Sequence, residues 1–335
     1  MTRRSGVTLV EVLVAIFVMA IGLIALLTLF PIGMLRMMQA IRDERCSECG
    51  YNADKIAIIF DIRNDTSVVT ASDMFANPNP GVLPNADPYG ESYPILVDPI
   101  GFNATIITAR DWVGGSVNVL RRRPVTFAAG NTLHKYFTLW DDINFESTTT
   151  NALTPPGTPQ KSANVVLRDA RYSWAYLLRR PRTGDRSVVD TSIIIFDQRS
   201  MTLNASLSLE EYVYPNMAYF NPSDNTIKID YTTVVPPPLR VGDWILDTTF
   251  YQPTKTPPTG SAHGYFYRVV AIEELAIPGK KCARYEVKNP IRGFVNIPLG
   301  PDPLSDSANP TVYNGTVIVM RGIAEVIEKG PVRLP

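Results

Sequence analysis

An uncharged run of 24 residues, Val12 to Leu35, lies close to the start of this 335-residue chain. As an α-helix the run is about 36 Å long, which is enough to cross the roughly 30 Å hydrocarbon core of a bilayer. Arg3 and Arg4 precede it, and basic residues beside a first apolar segment keep that end in the cytoplasm. We therefore expect one transmembrane helix with a cytoplasmic N-terminus and an exported C-terminal part.

Three ordinary kinds of segment could explain an apolar run of this kind: a cleaved secretory signal, a plain signal anchor and a buried helix of a soluble domain. The length and hydrophobicity of the run argue against the buried helix. A secretory signal has a shorter apolar core of about 7 to 15 residues and a small-x-small cleavage site, whereas this run continues into Pro31, Gly33 and Met34. A plain anchor fits the length but does not explain the carboxylate of Glu11.

Glu11 stands directly before the uncharged run. An ionisable group within a spanning helix costs about 2.5 to 3.5 kcal/mol on insertion scales. A carboxylate at such a position indicates a function, and it requires a partner of opposite charge.

The stretch from Gly6 to Glu11, GVTLVE, follows a short basic leader and precedes the apolar run. It resembles the prepilin cleavage and methylation signature of type IV pilins and type II secretion pseudopilins. The resemblance implies that Gly6 is the last leader residue, that Val7 is the N-methylated mature N-terminus, and that Glu11 is the family's glutamate. The family most often has Phe where this chain has Val7. The signature covers about the first 35 residues.

The resemblance also implies a partner for Glu11 and a role for the chain. Cleavage after Gly6 creates a cationic α-amine on Val7, which pairs with Glu11 within a subunit or on a neighbouring subunit of a filament. The implied partners are other pilin or pseudopilin subunits, the prepilin peptidase and methylase, the inner-membrane assembly platform and membrane lipid. The implied location is the inner membrane, with the head in the periplasm, and then a periplasmic or cell-surface filament.

The sequence suggests an α+β fold in which a long N-terminal helix packs on a mostly antiparallel β head with an extended β-rich C-terminal region. Near-helical spacing of Ile41, Cys49, Ala53, Ile56 and Phe60 predicts an amphipathic continuation of the helix to about Arg63. We divide the chain into a leader (1–6), a transmembrane half-helix (7–35), an amphipathic continuation (36–64), a first head part (65–150), a Pro-rich linker or loop (151–164) and a β-rich head part (165–335).

Strand patterns are clearest after the linker. In RYSWAYLLRR, residues Tyr172, Trp174, Tyr176 and Leu178 alternate as in a half-buried antiparallel strand. Later runs at hairpin-like spacing suggest a sheet that includes a small barrel from about Thr226 to Glu328. Before the linker, strands are expected at Phe102–Ala109 and Ser116–Leu120, and a short helix at Asn131–Ile143.

Catalytic motifs are not found in the head. His134 and His263 have no carboxylate at an informative spacing, and we interpret both as surface or structural residues. The 32 basic and 32 acidic residues balance, so no overall field favours nucleic acid. The basic triplet Arg121–Arg123, followed by Pro124, is interpreted as a solvated turn. We expect neither a cofactor nor an enzymatic activity.

Two groups of possible metal ligands remain. Asp302, Ser305, Asp306 and Asn309 offer oxygen atoms, but their spacing matches no dedicated calcium motif. Cys46 and Cys49 form half of a zinc knuckle, and only Cys282 and His263 could complete four ligands. We therefore expect no metal. A disulfide from the Cys46–Cys49 pair to Cys282 is conceivable in an exported compartment, and its connectivity stays open.

The sequence therefore favours a subunit of a type IV pilus or a secretion pseudopilus, with the large head favouring a minor subunit. The alternative, from a different class of proteins, is an extracellular binding or enzymatic domain that uses the helix only as a tether. Cleavage at Gly6 and incorporation into a filament distinguish the two.

Overall fold

A computed structural model of the chain describes residues 9–62, 94–98, 120–122, 137, 139, 172–179, 188–197, 211–251, 261–293, 299–305 and 310–333. The chain divides into two compact units, residues 1–48 and 49–335. The strands predicted at Phe102–Ala109 and Ser116–Leu120 lie outside the described residues, except for Leu120, and so does the linker 151–164.

A single long helix, α1, runs from Leu9 to Ile59 and includes Pro31. It ends slightly before the expected Arg63, in a turn that closes with hydrogen bonds from Phe60 N to Ile56 O and from Ile62 N to Ala57 O. Asp61 in this turn has a positive φ of 47°, a conformation that ends a helix.

The β region is mostly antiparallel, so the predicted α+β fold is confirmed. Its strands are β1 (Ile95–Val97), β2 (Leu120–Arg122), β3 (Tyr172–Arg179), β4 (Val188–Asp197), β5 (Glu211–Asn221), β6 (Thr226–Asp230), β7 (Trp244–Asp247), β8 (Phe250–Tyr251), β9 (Ser261–Ala262), β10 (Tyr265–Leu275), β11 (Cys282–Val287), β12 (Gly300–Pro301), β13 (Pro310–Met320) and β14 (Ile323–Arg333).

A five-stranded sheet has the order β14-β4-β3-β1-β2, with the β1–β2 pair parallel. The last turns of α1 lie against one face of this sheet. A Cβ added to Gly50 would overlap Ile327 Cδ1 of β14, and the hydroxyl of Tyr176 in β3 donates a hydrogen bond to Ala53 O. The small residues Gly50 and Ala53 thus allow the helix to approach the sheet closely.

Strand β3 is buried on both faces, and the half-buried strand predicted from its alternation is therefore wrong. Trp174 and Tyr176 occupy one face, while Ala175 and Leu177 pack in a second cluster with Trp244 and other residues of β7, β10 and β13. The alternation was misleading because Ser173 and Ala175 have small side chains, as residues on a solvated face often do, but both are buried.

Six strands form a closed antiparallel barrel in the order β13-β5-β6-β11-β10-β7, because β7 also pairs with β13. The closing contact is short: Val317, Ile318 and Val319 of β13 face Asp247, Leu246 and Ile245 of β7. One buried cluster gathers inward-facing side chains of these strands, among them Tyr214, Phe220, Ile227, Ile229, Ile245, Tyr267, Val269, Tyr285, Tyr313 and Val317.

The predicted barrel limits need a correction. The barrel begins at β5, before Thr226, and ends at β13, because β14 pairs with β4 in the other sheet. A turn at Arg321 and Gly322 separates β13 from β14. These two consecutive apolar strands therefore belong to different sheets.

Two further local predictions are wrong where the structure describes them. Phe137 and Leu139, from the predicted helix Asn131–Ile143, bond to β3 as an extended segment, through Trp174 N to Phe137 O and Leu139 N to Tyr172 O. Arg121 and Arg122 lie in strand β2, not in a turn, where their backbone pairs with β1. Neighbouring strands thus override local helix and turn signals.

Candidate functional site

The N-terminal part of α1 carries the predicted site. Glu11 lies in the first turn of the helix, where the positive end of the helix dipole favours a carboxylate. Gly6 and Val7 lie outside the described residues. The structure therefore places Glu11 near the start of the helix and leaves its pairing with the Val7 amine untested.

The helix after Glu11 is apolar on every face. Its large side chains remain exposed, as shown by Phe17 at 63%, Leu26 at 69% and Phe30 at 68%. A helix that is hydrophobic all round is normally covered by protein or by lipid. Within the part of the chain that the structure describes, α1 is the one helix long and apolar enough to cross a membrane.

Beyond Leu35 the helix surface becomes mixed. Arg36 donates a hydrogen bond to Gln39 across 3.3 Å, and Arg45 pairs with Glu48 at the same distance. Such exposed pairs one turn apart add only a few tenths of a kcal/mol each. They are typical of a helix segment in water, so the change in polarity agrees with the end of a membrane-spanning region near Arg36.

The three cysteines are all buried. Among the described residues, which include Cys46, Cys49 and Cys282, no disulfide bond links them. Burial raises the pKa of the Cys282 thiol, so this side chain is a poor nucleophile. The described residues also contain no group of three or more His, Cys, Asp or Glu side chains placed to hold a metal ion.

The sequence analysis missed a buried polar cluster at the barrel seam, the place where β7 pairs with β13. His263 Nδ1 lies 2.8 Å from Asp247 Oδ2, and the two side chains are 3% and 0% exposed. Asp247 Oδ1 accepts hydrogen bonds from Thr249 N and Thr249 Oγ1 at 2.9 and 2.5 Å. Asp247 precedes His263 by 16 residues, a separation that carries no recognisable pattern, whereas His134 lies outside the described residues.

The same cluster joins the two strands that close the barrel. Thr316 N donates to Thr249 Oγ1, and Thr316 O accepts from Thr248 N. Burial, and then the Asp247 carboxylate, raise the pKa of Tyr267 and Tyr313, so both hydroxyls stay protonated. The Tyr313 hydroxyl donates to Arg292 O, and the Tyr267 hydroxyl accepts from Arg292 N. These hydrogen bonds connect His263, Asp247 and Thr249 to the two closing strands, which agrees with the structural role predicted for His263.

Asp302, one of the predicted oxygen ligands, has a different partner. Its Oδ2 contacts the ammonium of Lys228, and its Oδ1 accepts a hydrogen bond from Leu304 N at 3.0 Å. A calcium ion beside Lys228 would meet a like charge, so Asp302 is a poor calcium ligand here. Asp306 and Asn309 lie outside the described residues.

Comparison with known protein families gives a match at the N-terminus. Residues 1–27 match the model of the prokaryotic N-terminal methylation motif. Comparisons with curated proteins and with solved structures gave no match to the chain. The matched segment contains Gly6, Val7, Glu11 and the first two thirds of the apolar run, so the chain carries the signature of type IV pilins and pseudopilins.

Proposed function

We propose that this chain is a structural subunit of a type IV pilus or of a type II secretion pseudopilus. The observation that carries the proposal is the methylation motif at residues 1–27, joined to a helix whose apolar part is long enough to span a membrane. The large head, with a barrel and a second sheet, favours a minor subunit over a major one. The subunit acts by assembly, with neither a catalytic activity nor a cofactor.

Processing is the first step of the proposed function. A prepilin peptidase removes residues 1–6 by cutting after Gly6, and the new amine of Val7 is methylated. Glycine suits the cut because a residue without Cβ lets the protease approach an extended backbone closely. Until that cut, the chain is a single-pass inner-membrane protein with a cytoplasmic N-terminus and a periplasmic head.

Assembly is the second step. The cationic amine of Val7 on one subunit pairs with Glu11 of its neighbour in a low-dielectric environment. An isolated carboxylate is costly there, while a paired one is tolerated. The Glu11 carboxylate is therefore more stable when a neighbouring subunit lies beside it. The inner-membrane platform adds each new subunit beside an existing one.

Shearing of filaments from cells that contain the chain tests this proposal. We expect the processed chain in the sheared fraction, at a lower copy number than the main filament subunit. Gly6→Leu should leave an unprocessed chain in the membrane. A chain that is never recovered with filaments, although it is present in the membrane, would favour the alternative of a tethered extracellular domain.

A further inference from the structure

A short strap of chain crosses the outside of the barrel. Gly300 and Pro301 form β12, which pairs with β13, and the strap continues through Asp302 and Leu304, both of which are buried. Beneath it, Ile227 and Ile229 of β6 belong to the barrel core. Lys228 lies between them on the strand, so its side chain points out of the barrel towards the strap.

Lys228 and Asp302 meet in a shielded position. The Lys228 Nζ atom lies 2.5 Å from Asp302 Oδ2, and the two side chains are 14% and 4% exposed. The other carboxyl oxygen, Oδ1, is held by the Leu304 amide at 3.0 Å, which fixes the carboxyl group facing the amine.

A second carboxyl group, that of Asp230, lies close by. Asp230 is two residues from Lys228 on β6, so both side chains leave the same face of the strand. Burial, followed by the charges of Asp230 and then Asp302, raises the pKa of Tyr219, which shows that all three groups share one neighbourhood. Tyr219 of β5 and Arg284 of β11 are the cross-strand neighbours of Lys228, and Arg284 also pairs with Glu273 at 3.7 Å.

From this geometry we infer that Lys228 and Asp302 are the site of an intramolecular amide cross-link. The Nζ–Cγ bond forms and the Cγ–Oδ2 bond breaks. One hydrogen of the ammonium group stays on the amide nitrogen, while the other two leave with Oδ2 as water. The reaction therefore consumes no oxidant, metal or cofactor.

Each neighbouring group has a definite part in this reaction. The Leu304 amide donates to Oδ1, where negative charge develops during the attack, as a donor of an oxyanion hole does. We assign the proton relay from Nζ to the departing Oδ2 to Asp230, which lies on the same face of β6 and whose Oδ1 accepts hydrogen bonds from Thr232 N and Thr232 Oγ1. Because burial disfavours a charged pair but not an uncharged amide, the shielded position also favours the product.

The cross-link would join β6 to the strap across 74 residues of sequence. It closes a loop that contains β7, β10 and β11, three of the six strands of the barrel. A covalent bond across such a loop restricts the unfolded chain and favours the folded head. A head fixed in this way also resists unfolding by tension, and this inference stands whether or not the chain enters a filament.

Mass spectrometry of the full chain, purified from membranes in detergent under reducing conditions, tests the inference. We expect an intact mass lower than that of the linear sequence by one water molecule. After tryptic digestion, cleavage after Lys228 should be missing, and the peptide with Lys228 should be joined to the peptide with Asp302. The full linear mass together with normal cleavage after Lys228 would overturn the inference.

Variants identify the reacting atoms. Lys228→Arg keeps a cation beside Asp302 but cannot form the amide, so the full mass should return. Asp302→Asn should give the same linked peptides with loss of ammonia in place of water, because the side-chain amide offers the same carbonyl carbon. Asp230→Asn should slow or prevent the reaction. A water loss that maps elsewhere, or that persists in Lys228→Arg, would contradict the assignment.

Discussion

The hydroxyl of Tyr176 donates a hydrogen bond to the backbone carbonyl of Ala53, across 2.6 Å and 123 residues of sequence. This bond joins β3 to the last turns of α1 inside a buried interface. Beside it, Cys49, Gly50 and Ala57 are also buried, so the helix presents a face of small residues to the sheet. Close approach of the helix is what brings the Tyr176 hydroxyl within reach of its backbone.

Tyr176→Phe tests the value of this bond. The carbonyl of Ala53 keeps its place in the helix ladder, so we expect the free energy of unfolding to fall by only about 0.5–1.5 kcal/mol. Denaturant unfolding of the detergent-solubilised chain, followed by circular dichroism, measures the loss. Tyr51→Phe is the matched control, since Tyr51 lies on the same helix with 64% exposure, and an equal loss in both variants would contradict the role of the bond.

Gly50→Leu tests the close approach of the helix to the sheet. A Cβ at Gly50 already overlaps Ile327 Cδ1, the end of a flexible side chain, and a leucine extends beyond Cβ, so the Ile327 side chain must repack. Overpacking of this kind costs about 1–3 kcal/mol of stability. Gly33→Leu is the control, because a Cβ at Gly33 meets nothing within 4 Å. Thermal unfolding should distinguish the two variants, and equal midpoints would disprove the tight contact.

Asp247→Ala tests the polar cluster at the barrel seam. The substitution leaves the buried donors of His263 and Thr249 without their acceptor, and we expect a loss of about 1–3 kcal/mol for each donor. Asp247→Asn, which retains one acceptor oxygen, should lose less. Denaturant titration measures both, with exposed Asp224→Ala as the control. A loss no larger than that of the control would show that the cluster does not hold the seam.

The features that could be predicted from the sequence are those with a continuous local pattern. In a bilayer, the uncharged run from Val12 to Leu35 can satisfy its backbone hydrogen bonds internally only as a helix, so the apolar part of α1 could be predicted. Glu11 could be singled out because a carboxylate at the edge of such a run is conspicuous. The alternating apolar residues of the later strands were sufficient to predict an antiparallel β region.

The features that could not be predicted depend on contacts between distant segments. Nothing in the stretch around Arg321 shows that β13 closes a barrel while β14 joins another sheet. Ser173 and Ala175 look like solvated positions until the barrel covers them. Asp247 and His263 meet because β7 and the segment after β9 are brought together by the barrel, and the sequence separation of the two residues gives no signal.

Glu11→Val tests the assembly role of the carboxylate. Removing one charge at the edge of a long apolar run should leave export and processing unchanged. Incorporation into filaments should fall strongly, because the Val7 amine of a neighbour loses its partner, and Glu11→Asp should be intermediate. Comparison of the membrane pool with sheared filaments measures the effect. The control is Glu44→Val, at an exposed position in the polar part of the same helix, and equal incorporation of the two variants would contradict the role of Glu11.

Mass spectrometry of the N-terminal peptide, taken from the chain in sheared filaments and in the membrane, tests the central claim most directly. Processing by a prepilin peptidase and methylase predicts a filament-associated chain that begins at an N-methylated Val7. A chain that begins at Met1 or Thr2 and remains in the membrane, in cells that contain an active prepilin peptidase, would contradict the proposed function.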